Sequence, residues 1–310
     1  MELATEVAGI TFKNPVLTAS GTFGYGREAA ELYDLSLLGG VMVKGVSREP
    51  WSGNPPIRIA RAPGGMLNAI GLQNPGLEHF LTVDLPFLRD YDTKVIVNVV
   101  GHDEEGFLAV VRGVDGQRGV AAIELNISCP NVADGLLFSQ DPDRAAGLVG
   151  KVREATSLPL IVKISPNVTD PVALGRACAQ AGADALSAIN TVLGMAIDVE
   201  RRRPVIANRT GGLSGPAVKP VGLRIVYDLA RALDIPVIGM GGIESGRDAL
   251  EYLMAGARAV AVGTAVFRDP LAPPRIIGEL ERELEAAGFA SVGEAWAAAN
   301  PDARRRTQDA

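Results

Sequence analysis

The chain has 310 residues, 47% of them hydrophobic and only 5% aromatic, enough to bury a large core. Its 36 acidic against 30 basic side chains leave a net charge of -6, which provides no electrostatic footprint for nucleic acid or an anionic membrane surface. No apolar stretch reaches the roughly 18–20 residues of a spanning helix, and the start MELATEVAGITFKNP has neither a basic n-region nor an apolar h-region, so a cytoplasmic protein without membrane association is expected.

The segment ELATEVAGITFKN (2–14) reads as a β-hairpin. After it, short apolar runs recur at PVLTAS (15–20), GGVMVKG (39–45), KVIVNVV (94–100), AAIELNIS (121–128), LPLIVKIS (158–165), ADALSAIN (183–190), IPVIGMGG (235–242) and AVAVGTAV (259–266). Each is apolar along nearly its whole length, the pattern of a strand covered on both faces. Amphipathic stretches at 141–156, 170–182, 219–233 and 245–257 predict helices between them. Eight alternating β and α units predict a (β/α)8 barrel, an α/β fold, as a single domain over 1–310. Residues 50–75 and 191–215 read as long Gly/Pro/Asn-rich βα-loop insertions, and PDARRRTQDA (301–310) as a polar tail that frays.

Barrel enzymes build their sites at the C-terminal ends of the strands. Two of only six lysines stand there inside apolar runs, Lys44 in VMVKGV and Lys163 in LIVKIS. A buried ammonium needs an anionic or electron-rich partner, which two strand-end lysines would find in a ligand. Asn68, Asn98, Asn126, Asn131 and Asn190 would converge on the same rim and offer uncharged donors and acceptors to a small polar ring. The glycine-rich ends of the last two runs, GMGGIESG and AVGTAVF, each lead into a helix and predict a phosphate cradle. There is no G-x-G-x-x-G, so a Rossmann-type NAD or FAD site has no support. The two cysteines, Cys129 and Cys178, lack CxxC spacing, and His79 and His102 are the only histidines, so no metal site is expected. Cys129 follows a strand and precedes a proline in ELNISCPN, while Cys178 lies within the helical GRACAQAG and reads as a packing residue. The loop 130–141 reads as a lid.

As an ordered set, TASGTFGYG (18–26), VKGVS (43–47), MLNAIGLQNPG (66–76), NVVG (98–101), ELNISCPN (124–131), VKISPN (162–167), INT (189–191), GGLSGPAVKP (211–220), GMGGI (239–243) and VGTA (262–265) resemble the class 1 dihydroorotate dehydrogenases, FMN-containing barrels of pyrimidine biosynthesis. The resemblance implies that Cys129 is the base that takes the C5 proton of dihydroorotate while hydride leaves C6 for the flavin. It implies that Lys44, Asn68, Gly71, Leu72, Asn126, Asn131, Asn190 and Thr191 hold the substrate. Ala19, Ser20, Gly21, Lys44, Asn98, Asn126, Lys163, Ile189, Gly215, Gly241, Gly242, Gly263 and Thr264 match positions along the FMN, Lys163 being the one that stabilises the reduced flavin.

INT, TFGYG and GGLSGPAVKP are most similar to class 1B, which implies a homodimer flanked by two partner subunits carrying FAD and a 2Fe–2S cluster, a heterotetramer that passes electrons to NAD+. The alternatives are a class 1A homodimer using fumarate, a related dihydropyrimidine-oxidising flavin barrel, and a non-redox phosphometabolite-binding barrel.

Overall fold

Strands β1 (Thr5–Val7) and β2 (Ile10–Phe12) pair antiparallel as the expected hairpin, turning through Ala8 and Gly9 at φ 52° and 75°. Two positive φ values in a two-residue turn match the right-handed twist of the strands it joins. The computed structural model describes residues 1–128 and 138–306.

The eight apolar runs form a closed parallel barrel. In chain order come β3 (Val16–Thr18) and β4 (Gly40–Met42), then β5 (Ile59–Ala62) and β6 (Gly65–Asn68) within the first insertion. Next are β7 (Lys94–Val99), β8 (Val120–Leu125), β9 (Leu160–Ile164) and β10 (Ala185–Ala188). The second insertion holds β11 (Val192–Met195), β12 (Ile197–Asp198), β13 (Arg203–Pro204) and β14 (Thr210–Ser214), after which β15 (Val237–Met240) and β16 (Ala257–Val262) complete the barrel. The neighbours run β10–β15–β16–β3–β4–β7–β8–β9, and β9 pairs back to β10.

The predicted helices form at Pro142–Ala155, Pro171–Gln180, Lys219–Ala232 and Gly246–Ala255. Asp-Pro opens two of them: the Asp141 and Asp170 carboxylates accept first-turn N–H groups, while Pro142 and Pro171 occupy positions whose N–H would have no helical partner.

Alternation along the strands explains why each run looked uniformly apolar. Val16, Val41, Val95, Val97 and Ile123 face the helices in one large core, whereas Leu17, Met42, Ile96, Ala122, Ile161, Ala185, Ile238 and Ala259 pack together inside the barrel. Val7 and Phe12 of the hairpin join this inner cluster and close the end of the barrel opposite the strand C-termini.

In two places the structure departs from the expected loops and tail. The insertions pair with one another as a four-stranded antiparallel sheet, β11–β14–β6–β5, with Gly212 opposite Asn68 and Leu193 opposite Gly212. A Cβ on Gly212 would lie 2.5 Å from that of Thr191, so glycine there makes room for the Thr191 side chain, a role that its low strand propensity does not advertise. Residues 301–306, expected to fray, instead form a helix. The buried Asn300 side chain accepts from Ala303 N–H and donates to the Tyr227 and Ala255 carbonyls, and Ala303 packs against Ala230 and Ala297.

Candidate active site

The period-two alternation that places Leu17, Met42, Ile96, Ala122, Ile161 and Ala185 inside the barrel puts the residue two further along each strand one layer nearer the C-terminal mouth. Those residues are Ala19, Lys44, Asn98, Glu124, Lys163 and Ser187, so the inner layer changes from apolar to polar within one strand step. The layer is knitted together. Glu124, fully buried, accepts hydrogen bonds from Ser20 Oγ at 2.8 Å, Asn98 Nδ2 at 2.5 Å and Ser187 Oγ at 2.6 Å. Lys163 Nζ donates to Ser20 Oγ at 3.0 Å and stands 3.7 Å from the Glu124 carboxylate.

The network continues outward through amides. Asn126 Nδ2 donates to Asn98 Oδ1 at 3.3 Å, and Asn126 Oδ1 accepts from Ser128 N and Oγ, both at 3.4 Å. Asn190 Nδ2 donates to Ser128 Oγ at 3.0 Å, and Asn190 Oδ1 accepts from Thr191 N at 2.8 Å.

Above this floor lies one cleft, and every predicted site residue within the described segments lines it. Ala19, Ser20 and Gly21 come from the end of β3, Lys44 from β4, Asn98 from β7, Asn126 from β8 and Lys163 from β9. Ile189, Asn190 and Thr191 follow β10; Gly241 and Gly242 follow β15; Gly263 and Thr264 follow β16. The insertions roof one side with Asn68 at the end of β6, Gly71 and Leu72 beyond it, and Gly215 after β14. Cys129 and Asn131, and residues 130–137 of the expected lid, lie outside the described residues.

Lys44 reaches the cleft half-buried. Burial lowers its affinity for a proton below that of an ordinary lysine, the nearby Arg58 pushes the same way, and Glu28 opposes them. The other cysteine, Cys178, is fully buried in the outer core, where desolvation pushes its thiol up to about 12, as suits a packing residue.

The Gly-rich segments expected to cradle a phosphate line the cleft as turns rather than as helix ends. The helix Gly246–Ala255 has its first turn capped by Ser245 and Asp248, and Gly246 N donates to Glu279. The segment after β16 is a 3-10 turn, Thr264–Phe267. What faces the cleft is backbone: Gly241 and Gly242 at φ 119° and 72°, with Gly263 and Thr264 beside them. A side chain at Gly242 would bring its Cβ within 2.7 Å of Lys219 Cβ and 2.9 Å of the Gly215 carbonyl.

Sequence reasoning missed Glu124, Ser187 and the apolar wall of Ile59, Met66 and Phe267. Glu124 did carry a signal, as an acid inside AAIEL with the same strand parity as Asn126 and Ser128.

Residues 2–284 match the dihydroorotate dehydrogenase family profile. The chain belongs to the dihydroorotate dehydrogenase family. This is a family of flavin-using oxidoreductases. The chain is 56% identical over 284 residues to the dihydroorotate dehydrogenase B (NAD(+)) catalytic subunit of Citrifermentans bemidjiense, covering 91% of this chain and 93% of that one. It is 51% identical over 293 residues to the protein so named in Bacillus cytotoxicus, covering 94% and 95%. Among solved structures, dihydroorotate dehydrogenase from Eimeria tenella in complex with ferulenol superposes with a TM-score of 0.81 at 26% identity, covering 96% of this chain and 88% of that one. No helix among the described residues of this family member is long and apolar enough to cross a membrane.

Proposed function

We propose that this chain oxidises dihydroorotate to orotate for pyrimidine biosynthesis, with FMN as its flavin, in the cytoplasm. The observation that carries the reading is the opposition of two surfaces across one cleft, a wall of Gly-rich turns facing a rim of lysines and amides. The chemistry of each fits part of FMN: backbone N–H groups suit a phosphate, and a buried ammonium on Lys163 suits an electron-rich flavin ring. Bound there, FMN would accept the hydride released from C6 of dihydroorotate.

The chain's own residues then divide the remaining work. Lys44 pairs with the substrate carboxylate, while Asn68, Asn126, Asn131, Asn190 and Thr191 match the ring's donors and acceptors, and Gly71 and Leu72 offer backbone groups. Cys129 takes the C5 proton as a thiolate. Electrons reach NAD+ through a partner subunit with FAD and a 2Fe–2S cluster, in an assembly of two copies of this chain and two partners. Support for that division comes from the missing dinucleotide fingerprint and from relatives named as catalytic subunits of an NAD(+) enzyme.

The test is direct. Purified protein is expected to be yellow, to release FMN on heating and to be reduced anaerobically by dihydroorotate. Turnover with NAD+ is expected only after a flavin/iron–sulfur partner is added; fumarate turnover by the chain alone would favour the homodimeric class 1A reading instead.

The lowered proton affinity of Lys44 adds an expectation about pH. As pH rises through the alkaline range below the ordinary lysine value, the ammonium is lost and orotate affinity falls. Spectral titration of the flavin with orotate between pH 7 and 10 checks this. Affinity that is flat over that range removes Lys44 as the carboxylate's partner.

A further inference from the structure

Beneath the cleft, four polar side chains from four different strand ends converge on a single buried carboxylate. Oε2 of Glu124 accepts from Ser20 Oγ and Asn98 Nδ2, Oε1 accepts from Ser187 Oγ, and the Lys163 ammonium lies 3.7 Å away. A carboxylate can only accept, so it imposes a direction on everything bonded to it. Asn98 must turn its NH2 down to Glu124, which leaves its carbonyl for Asn126; Asn126 must then present its own carbonyl to Ser128. The directed chain ends at Ser128, the residue immediately before Cys129, where the Asn190 amide joins from the other side. Asn98 is oriented by side chains, Glu124 and Asn126, whereas Asn126 and Asn190 are also held by the Ser128 and Thr191 backbone N–H groups.

Lys163 is controlled from the same point. Ser20 accepts from the ammonium and passes its own proton to Glu124, so the hydroxyl is ordered between a cation and an anion. Burial leaves neither charge another way to be solvated, since Glu124 is 0% and Lys163 5% exposed.

We propose that Glu124 is a positioning residue for the reaction: it orients the Asn98 amide, on which Asn126 rests, and anchors the Lys163 ammonium at the cleft floor. It thereby tunes both the recognition of the pyrimidine ring and the electron affinity of the flavin. The inference rests on the functional reading above.

Glu124→Gln keeps the size of the side chain and replaces one acceptor oxygen by a donor. Its NH2 is accommodated on the Ser187 side, where the serine hydroxyl turns round to accept, so the oxygen that receives Ser20 and Asn98 is kept and the variant reads the charge. The buried negative charge also disappears, which favours electron uptake nearby. The variant is expected to retain FMN. Its flavin is expected to shift about tenfold toward the reduced form at equilibrium with a reference redox dye, roughly 30 mV for two electrons.

Glu124→Asp provides the second arm, because it keeps the charge but shortens the reach to Asn98. Its redox equilibrium is expected within twofold of the wild type, with orotate binding weakened about tenfold. It carries the test alone should Glu124→Gln fail to fold. Orotate affinity within twofold of wild type in folded Glu124→Asp, or a redox equilibrium unmoved in folded Glu124→Gln, overturns the proposal. A wild-type protein that holds no flavin, or whose flavin dihydroorotate does not reduce, overturns the functional reading instead.

Discussion

Cys129→Ala is expected to keep its FMN and its orotate affinity while flavin reduction by dihydroorotate slows by at least ~100-fold, the scale of losing a general base. Anaerobic stopped flow separates the two effects, because binding perturbs the flavin spectrum before reduction bleaches it. The same reasoning predicts a pH signature in the wild type. An unperturbed thiol ionises near about 8.5, so reduction at saturating substrate is expected to accelerate through the alkaline limb as thiolate forms. The sign is opposite to that for orotate affinity, which falls as Lys44 loses its proton. Reduction kinetics independent of pH between 6 and 9, or a Cys129→Ala variant as fast as the parent, would remove the thiol from the mechanism.

Lys163→Met is expected to lower the free energy of unfolding by about 3–5 kcal/mol, since it leaves the Glu124 carboxylate buried with no countercharge. The loss belongs to the stranded partner rather than to the worth of the pair. Removing the second charge as well, in Lys163→Met with Glu124→Gln, is therefore expected to restore much of it. Urea unfolding of the three variants beside the wild type closes the cycle. If the double variant is as unstable as the sum of the two single changes, the residues are not coupled and the charge argument fails.

Much of the site was legible because strand periodicity and chemistry coincide. Lys44 and Lys163 stood out as cations inside apolar runs, and each faces the cleft two residues beyond Met42 and Ile161, which pack inside the barrel. Glu124 was passed over although it obeys the same parity, because the acid that opens ELNISCPN draws less notice than the thiol. What it needed was knowledge of which residues lie across the barrel: Ser20 and Ser187 are 104 and 63 positions away in sequence.

The glycine-rich turns do line the cleft, but as turns and not as the helix ends that their pattern suggested. Ser245 and Asp248 spell a helix cap in the sequence, and that cap occupies the helix end that the glycine pattern suggested for an anion. Likewise Asn300-Pro301 is a helix-start signal that the charge of the following arginines obscured.

By itself, the sequence determined the eight-strand order of events along the chain, the parity of each strand and the residue types at its site end. Those follow from local periodicity and from the cost of burying polar groups, both written in neighbouring residues. Only the tertiary structure decided how the two insertions pair, since Gly212 and Asn68 are 144 positions apart and glycine carries no strand preference. Barrel closure likewise decided that one carboxylate would gather Ser20, Asn98 and Ser187 and stand beside Lys163. A hydrogen-bond partner brought from another strand leaves no trace in the local pattern that a sequence can display.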